Sequence, residues 1–178
     1  KDLRILEEET FCGLLRAFSN NPISDGSKTQ LEALWSKIPK QQRQQTDTLI
    51  AYIDALVLLD DSSLALNLLS KRLDVQWQDK LIEKFGSLTV KASKKQLAIA
   101  EKWLSRHPKN PHLLLALGRI CSHMELFGKA RDYLEQAVEL APSAQTYFDL
   151  ATIYGEIGEE KARFQTYQRG LEFIISDH

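Results

Sequence analysis

Apolar side chains recur three and four positions apart along nearly the whole chain, the spacing of one face of an α-helix. Leu3, Leu6, Phe11, Leu14, Leu15 and Phe18 define a first helix, and a polar stretch over 20–27 follows it as a loop. Leu31, Leu34, Trp35 and Ile38 form a short stripe that reaches Pro39. A stronger helix spans 46–59, with Leu49, Ile50, Ile53, Leu56 and Val57 on one side. Asp60, Asp61, Ser62 and Ser63 then break the pattern with N-cap chemistry. The next helix runs from Leu64 to Leu73, and another over 77–88 carries Leu81, Ile82 and Phe85. Ser93 followed by Gln96 reads as a capping box for a helix reaching about Arg106. Asn110 before Pro111 places a cap residue ahead of a proline in the first helical turn. That helix runs to about Met124. The remaining helices run from Gly128 to before Pro142, over 144–156 and over 159–175. With eight glycines, five prolines and no Asn-Gly or Asp-Gly turn, hairpin signals are missing. The pattern predicts an all-α chain of helices joined by short turns.

The alternation has a fixed period. Pro108 and Pro142 each close a helix just before the next begins, and their spacing is the period of a helix-pair repeat. Between them Leu114, Leu117, Gly118, Ala130, Leu134, Ala137 and Pro142 fall on the signature positions of the tetratricopeptide repeat, which this stretch resembles. Gly118 and Ala130 sit where two helices of a pair cross, and larger side chains there would push the backbones apart. Cys121 stands where the motif usually has an aromatic residue and reads as core. The following unit carries Tyr147, Leu150, Ala151, Tyr154, Tyr167 and Gly170, starts one residue early and has Arg163 in place of the usual alanine. An upstream unit matches through Leu49, Leu56, Ala65 and Leu69. In the intervening unit only the second helix aligns, through Leu97, Ala100, Leu104 and Pro108. The expected organisation is a helical capping region over 1–45 followed by repeats at about 46–76, 77–110, 111–143 and 144–178. The expected fold is a right-handed superhelix of antiparallel helix pairs, a tetratricopeptide-like solenoid, because such pairs bury their faces only by stacking.

Composition narrows the function. The 178 residues hold 23 Lys and Arg against 24 Asp and Glu, a net charge of -1. That argues against a general nucleic-acid binder, whose affinity comes largely from phosphate neutralisation. Mean hydropathy is -0.30, and no apolar run approaches the ~20 residues needed to span a bilayer. Cys12 and Cys121 have no metal or redox spacing and read as buried thiols. No dinucleotide, phosphate-loop, zinc-protease or nucleophile-elbow motif is present. Of the four histidines, His107 and His112 flank the Pro108 turn and His178 is terminal. Cys121 and His123 would point about 200° apart on a helix, so they do not converge on one ion. The chain therefore reads as non-catalytic, with no metal and no required cofactor. It begins at Lys1 and reads as part of a longer protein.

Charge is uneven along the chain. Lys91, Lys94, Lys95, Lys102, Arg106 and Lys109 face Glu101 alone, whereas 125–160 holds eight acidic residues against Lys129 and Arg131. Either these are two solvated faces of opposite sign or they form a bipolar surface that orients a partner or a membrane. By analogy with other tetratricopeptide proteins, the first helices of the pairs would line a groove with Asp54, His112, Leu115, Arg119, His123, Phe148, Thr152 and Glu156. That mix of polar, charged and aromatic residues suits a peptide or protein ligand.

A narrower resemblance rests on 103–135. The run Gly118-Arg119-Ile120-Cys121, and the run from Leu126 through Phe127, Gly128, Lys129, Ala130 and Arg131 to Tyr133, Leu134 and Glu135, resemble elements of the C-terminal region of the bacterial HemY family. Trp35 with Ile38 and Pro39, and Ala51 and Tyr52 with Ala55 and Leu56, resemble it too. The resemblance implies an inner-membrane protein anchored by N-terminal helices outside this chain, with this domain on the cytoplasmic face. It implies an accessory role in haem synthesis through contact with a pathway enzyme, as a scaffold. It implies no catalytic residues, and the flavin-dependent oxidase that shares the name is excluded by the missing glycine motif. Two alternatives stand beside it: a tetrapyrrole-binding or carrier domain with His112 or His123 as haem ligand, and a generic tetratricopeptide adaptor in an unrelated assembly.

Overall fold

A computed structural model describes residues 3–19, 26–89 and 93–176, with side chains from Glu9 onward in the first segment and from Lys94 onward in the last. Among the described residues there are eleven helices and no strand. Lys91, His178 and residues 20–25 of the expected loop lie outside the described residues, as do the side chains of Leu3 and Leu6. The chain divides into two compact units, Lys1–Gln76 and Trp77–His178.

The first unit holds α1 (Leu3–Ser19), α2 (Ser27–Lys37), α3 (Lys40–Arg43), α4 (Thr46–Leu58) and α5 (Ser62–Val75). α4 is its hub, and the other four helices pack on it. Thr48, Leu49, Ala51, Tyr52, Ile53, Ala55 and Leu56 are all buried, so α4 is apolar around most of its circumference, as a core helix must be. Trp35 of α2 stacks on Tyr52 with ring centroids 3.9 Å apart. Cys12 of α1 is buried, with its Sγ 3.6 Å from the Thr48 hydroxyl. The turn after α4 puts Asp60 at a left-handed φ of 58°. Asp61 then caps α5 by accepting from the Leu64 N–H at 3.3 Å. The same carboxylate takes Lys28 of α2 at 2.6 Å. α3 is a single extra turn after Pro39, short enough that periodicity does not resolve it.

The second unit holds α6 (Asp79–Ser87), α7 (Ser93–Leu104), α8 (Pro111–His123), α9 (Phe127–Leu140), α10 (Ala144–Glu156) and α11 (Glu160–Ser176). α8 is the central helix, buried from Leu113 through Gly118 and again at Ile120 and Cys121. It packs on α6, α7 and α9; α10 packs on α9 and α11 on α10. α8 with α9, and α10 with α11, form the two well-marked helix pairs. Asn110 caps α8 by accepting from the Leu113 N–H at 2.8 Å. Gly118 marks the α8–α9 crossing, since a Cβ there would lie 2.5 Å from Leu134 Cγ. Tyr154 of α10 donates its hydroxyl to Glu135 of α9 at 2.6 Å. Arg163, in the place of the usual alanine, fits because Gly155 leaves room: a Cβ on Gly155 would lie 3.2 Å from Arg163 Cδ.

The degenerate repeat departs from expectation. The Ser93 side chain of the expected capping box lies outside the described residues, and Gln96 is buried and donates Nε2 to the Phe85 carbonyl at 2.7 Å and the Leu88 carbonyl at 3.2 Å. Buried carbonyls at the end of α6 need a donor, and Gln96 supplies it. α6 begins at Asp79, and Trp77 stays outside it, stacked on His107 with centroids 3.8 Å apart and edge-on to Trp103. Gly86 packs against the backbone of α8: a Cβ there would lie 2.5 Å from Ala116 Cα.

Candidate protein-binding groove

α6, α8 and α10 lie side by side in the second unit and present one face together. On α8 that face is marked by positions 112, 115, 119, 122 and 123, spaced three and four apart. On α10 it is marked by Gln145, Phe148, Asp149 and Thr152.

Arg119 and Asp149 join the two helices. Arg119 Nε donates to Asp149 Oδ2 at 2.6 Å, and both side chains are largely shielded, 22% and 16% exposed. Gln145 donates to the other carboxylate oxygen at 2.8 Å. The carboxylate is thus held by two donors, which a partly desolvated charge requires. Arg119 and Gln145 stand between two pockets and line both. One, of about 330 Å³, is walled by Gly118, Leu134 and Ile153 below and by His123, Phe148 and Thr152 at its rim. The other, of about 250 Å³, is bounded by Glu83, His112, Leu115 and Pro142.

The far side of the smaller pocket is fixed by a polar set between α6 and α8. His112 Nδ1 lies 2.7 Å from Glu83 Oε1, and its Nε2 lies 3.7 Å from Asp79 Oδ2. Asn110 donates to Asp79 at 3.2 Å while its own oxygen caps α8. Both ring nitrogens of His112 therefore face carboxylates of α6.

Of the expected groove residues, the structure brings together His112, Leu115, Arg119, His123, Phe148 and Thr152. Leu115 is only 8% exposed and contributes wall, not rim. Phe148 is 56% exposed and is the main apolar surface offered to a ligand. Glu156 is exposed at the end of α10 and lines neither pocket, and Asp54 belongs to α4 in the first unit. Among the expected basic residues, Lys94, Lys95, Lys102, Arg106 and Lys109 lie on and just after α7, away from both pockets. The expected packing positions Leu114, Leu117, Gly118, Ala130, Leu134, Ala137, Leu150 and Ala151 are buried, Tyr154 is half-buried, and Pro142 is exposed at the turn.

Sequence reading did not find Asp149 or Gln145. One signal was available: Asp149 follows Arg119 by slightly less than one repeat, which places it about one helical turn earlier on its own helix. Cys121 is fully buried, and burial pushes its thiol up to about 11, so it is unreactive core. Cys121 and the exposed His123 face opposite environments. Among the described residues no group of three His, Cys, Asp or Glu side chains is placed to hold a metal ion.

A tetratricopeptide-repeat family model matches residues 111–143, the α8–α9 pair and its flanking turns. The chain is similar to MamA 41-end from Desulfovibrio magneticus RS-1 at 18% identity, over 93% of this chain and 96% of that one, with a TM-score of 0.57. It is similar to MamA from AMB-1 at 17% identity, over 96% and 98% of the two chains, with a TM-score of 0.55. A further crystal structure of MamA matches at 14% identity, over 88% and 98%, with a TM-score of 0.56. No curated protein sequence matches the chain. At these identities the likeness shows the fold, an all-α tetratricopeptide-like solenoid.

Proposed function

We propose that the chain is a non-catalytic scaffold that binds another protein along the face formed by α6, α8 and α10. The observation that carries this is the pocket beside Phe148. A large aromatic ring stands more than half exposed over an apolar floor, next to an Arg119–Asp149 pair already locked in place. Preformed walls and a rigid aromatic anchor are what a peptide segment docks against at low entropic cost.

The finer reading is an accessory role in haem synthesis at the cytoplasmic face of the inner membrane, through contact with a pathway enzyme. The HemY-like character of 103–135 supports it. No helix among the described residues is long and apolar enough to cross a membrane, so in this reading the anchor lies outside this sequence.

The test is binding of purified haem-pathway enzymes to the chain, measured by calorimetry. Phe148→Ala and Thr152→Arg are expected to weaken binding by about tenfold or more, and Lys102→Glu on α7 to leave it unchanged. Binding that ignores Phe148 and Thr152 overturns the groove. Failure of every haem-pathway enzyme, with groove-dependent binding of some other protein, overturns only the haem assignment.

A further inference from the structure

The two pockets of the groove differ in charge, and the difference says what each can hold. Among the described residues, Arg119 is the only Lys or Arg that lines either pocket, and Asp149 already takes its charge at 2.6 Å. The larger pocket is thereby left to its apolar floor at Gly118, Leu134 and Ile153, with the hydroxyls of Ser122 and Thr152 at its sides. The smaller pocket keeps an acid. Glu83 lines it, Asp79 stands one turn earlier on α6, and their side chains are 47% and 53% exposed. His112 faces both carboxylates, but even a protonated ring would set one positive charge against two negative ones. Lys80 and Lys84 of α6 line neither pocket.

The spacing of the pockets adds a length. On α8 the larger pocket is lined by 118, 119, 122 and 123 and the smaller by 111, 112, 115 and 119. Their centres therefore lie about six residues, or ~9 Å, apart along the helix. In an extended chain with three residues per turn, side chains three positions apart share a face and are also about 9 Å apart.

Resting on the reading of this face as a protein-binding groove, we infer that its ligand is a basic, extended peptide segment with two anchors three positions apart. One anchor is an aromatic side chain in the larger pocket, where it meets the exposed ring of Phe148 over the apolar floor. The other is a Lys or Arg at the smaller pocket, where Glu83 and Asp79 accept its N–H groups. His112 holds Glu83 Oε1 at 2.7 Å, so the carboxylate is positioned before a ligand arrives. The same two carboxylates repel an acidic segment, which makes the charge of the second anchor a source of selectivity.

Fluorescence anisotropy of the full chain with labelled Gly-Ser peptides, each carrying Phe and Lys three positions apart in one order or the other, tests this. The better of the two should bind about fivefold or more tighter than the same peptide with Glu in place of Lys. Added salt should shrink that preference. Moving Lys next to Phe should lose most of it. Glu83→Gln should reduce the preference and Glu83→Lys should reverse it, while circular dichroism keeps the native helix content. Phe148→Ala should weaken the Lys and Glu peptides alike. Binding that depends on Phe148 but is equal for Lys and Glu peptides overturns this inference and leaves the groove standing. So does a preference for Lys that survives Glu83→Lys. Binding indifferent to Phe148→Ala overturns the groove and the inference together, and no binding at millimolar peptide overturns the inference.

Discussion

Arg119 and Asp149, far apart in sequence, stand 2.6 Å apart in space and tie α8 to α10 across the floor of the groove. Both are mostly shielded from water, so each depends on the other for compensation of its charge. Asp149→Ala leaves Arg119 without its main acceptor and is expected to cost about 2 kcal/mol in urea denaturation. The double change Arg119→Leu with Asp149→Leu should recover much of that loss, because no unpaired charge remains. A fully additive double variant would show that the two residues do not act as a pair.

Two glycines mark helix crossings, and they should differ in tolerance. A Cβ on Gly118 meets the side chain of Leu134, whose outer atoms can turn aside. A Cβ on Gly86 meets the Cα of Ala116, which is backbone and cannot. Gly86→Ala is therefore expected to destabilise by about 2–3 kcal/mol and Gly118→Ala by less, despite the helix propensity both gain. Calorimetric melting of the two variants checks the order.

Much of this architecture was readable along the chain. The α10 boundaries were visible because Ser143 and Pro142 punctuate its start and the apolar spacing is regular. The cap at Asn110 is a local matter of one side chain and one turn, so sequence specifies it. The Gln96 bond to the open end of α6 at Phe85 was not legible, because that partner is chosen by tertiary structure. Gly86 passed unnoticed because α6 lacks the repeat signature, and only the approach of α8 gives that glycine a purpose. For the groove, the α8 positions came by analogy with the first helices of other tetratricopeptide repeats. Asp149 did not, since a pairing between helices depends on how far one slides along the other.

Stability should fall at alkaline pH. Burial pushes the Cys121 thiol from its ordinary 9.0 up to about 11. Burial, then the bond to Glu135, pushes the Tyr154 phenol from 10.0 up to about 12. Both groups keep their protons longer in the folded chain than in the unfolded one, so folding stability is lost as pH rises above the unfolded values. The urea midpoint is expected to drop as pH rises from about 9 towards about 12, the span between the unfolded and the folded values. Cys121→Ala should make that drop shallower even though it lowers stability at neutral pH. A midpoint that does not change over this range would contradict the burial of both groups.

At the start of α5, one carboxylate has two jobs. Asp61 caps the helix and takes Lys28, and the Lys28 hydrogen bond holds its carboxyl below the usual range. Asp61→Ala should cost about 1 kcal/mol through the lost cap. Lys28→Ala should cost clearly less, since its ammonium is solvent-exposed and screened. The cap's contribution is present above the ordinary carboxylate range and lost as pH falls through the lowered value. Chemical denaturation of both variants at neutral and acid pH separates the two jobs.

The decisive experiment for the binding face is site-specific photo-crosslinking in cells. A benzophenone side chain placed at Thr152, at the rim of the larger pocket, is expected to trap a discrete partner protein. The same group at Lys102 on α7, exposed and outside both pockets, is expected to trap nothing comparable. Adducts that form from Lys102 and not from Thr152 would mean that the face built by α6, α8 and α10 does not bind the partner.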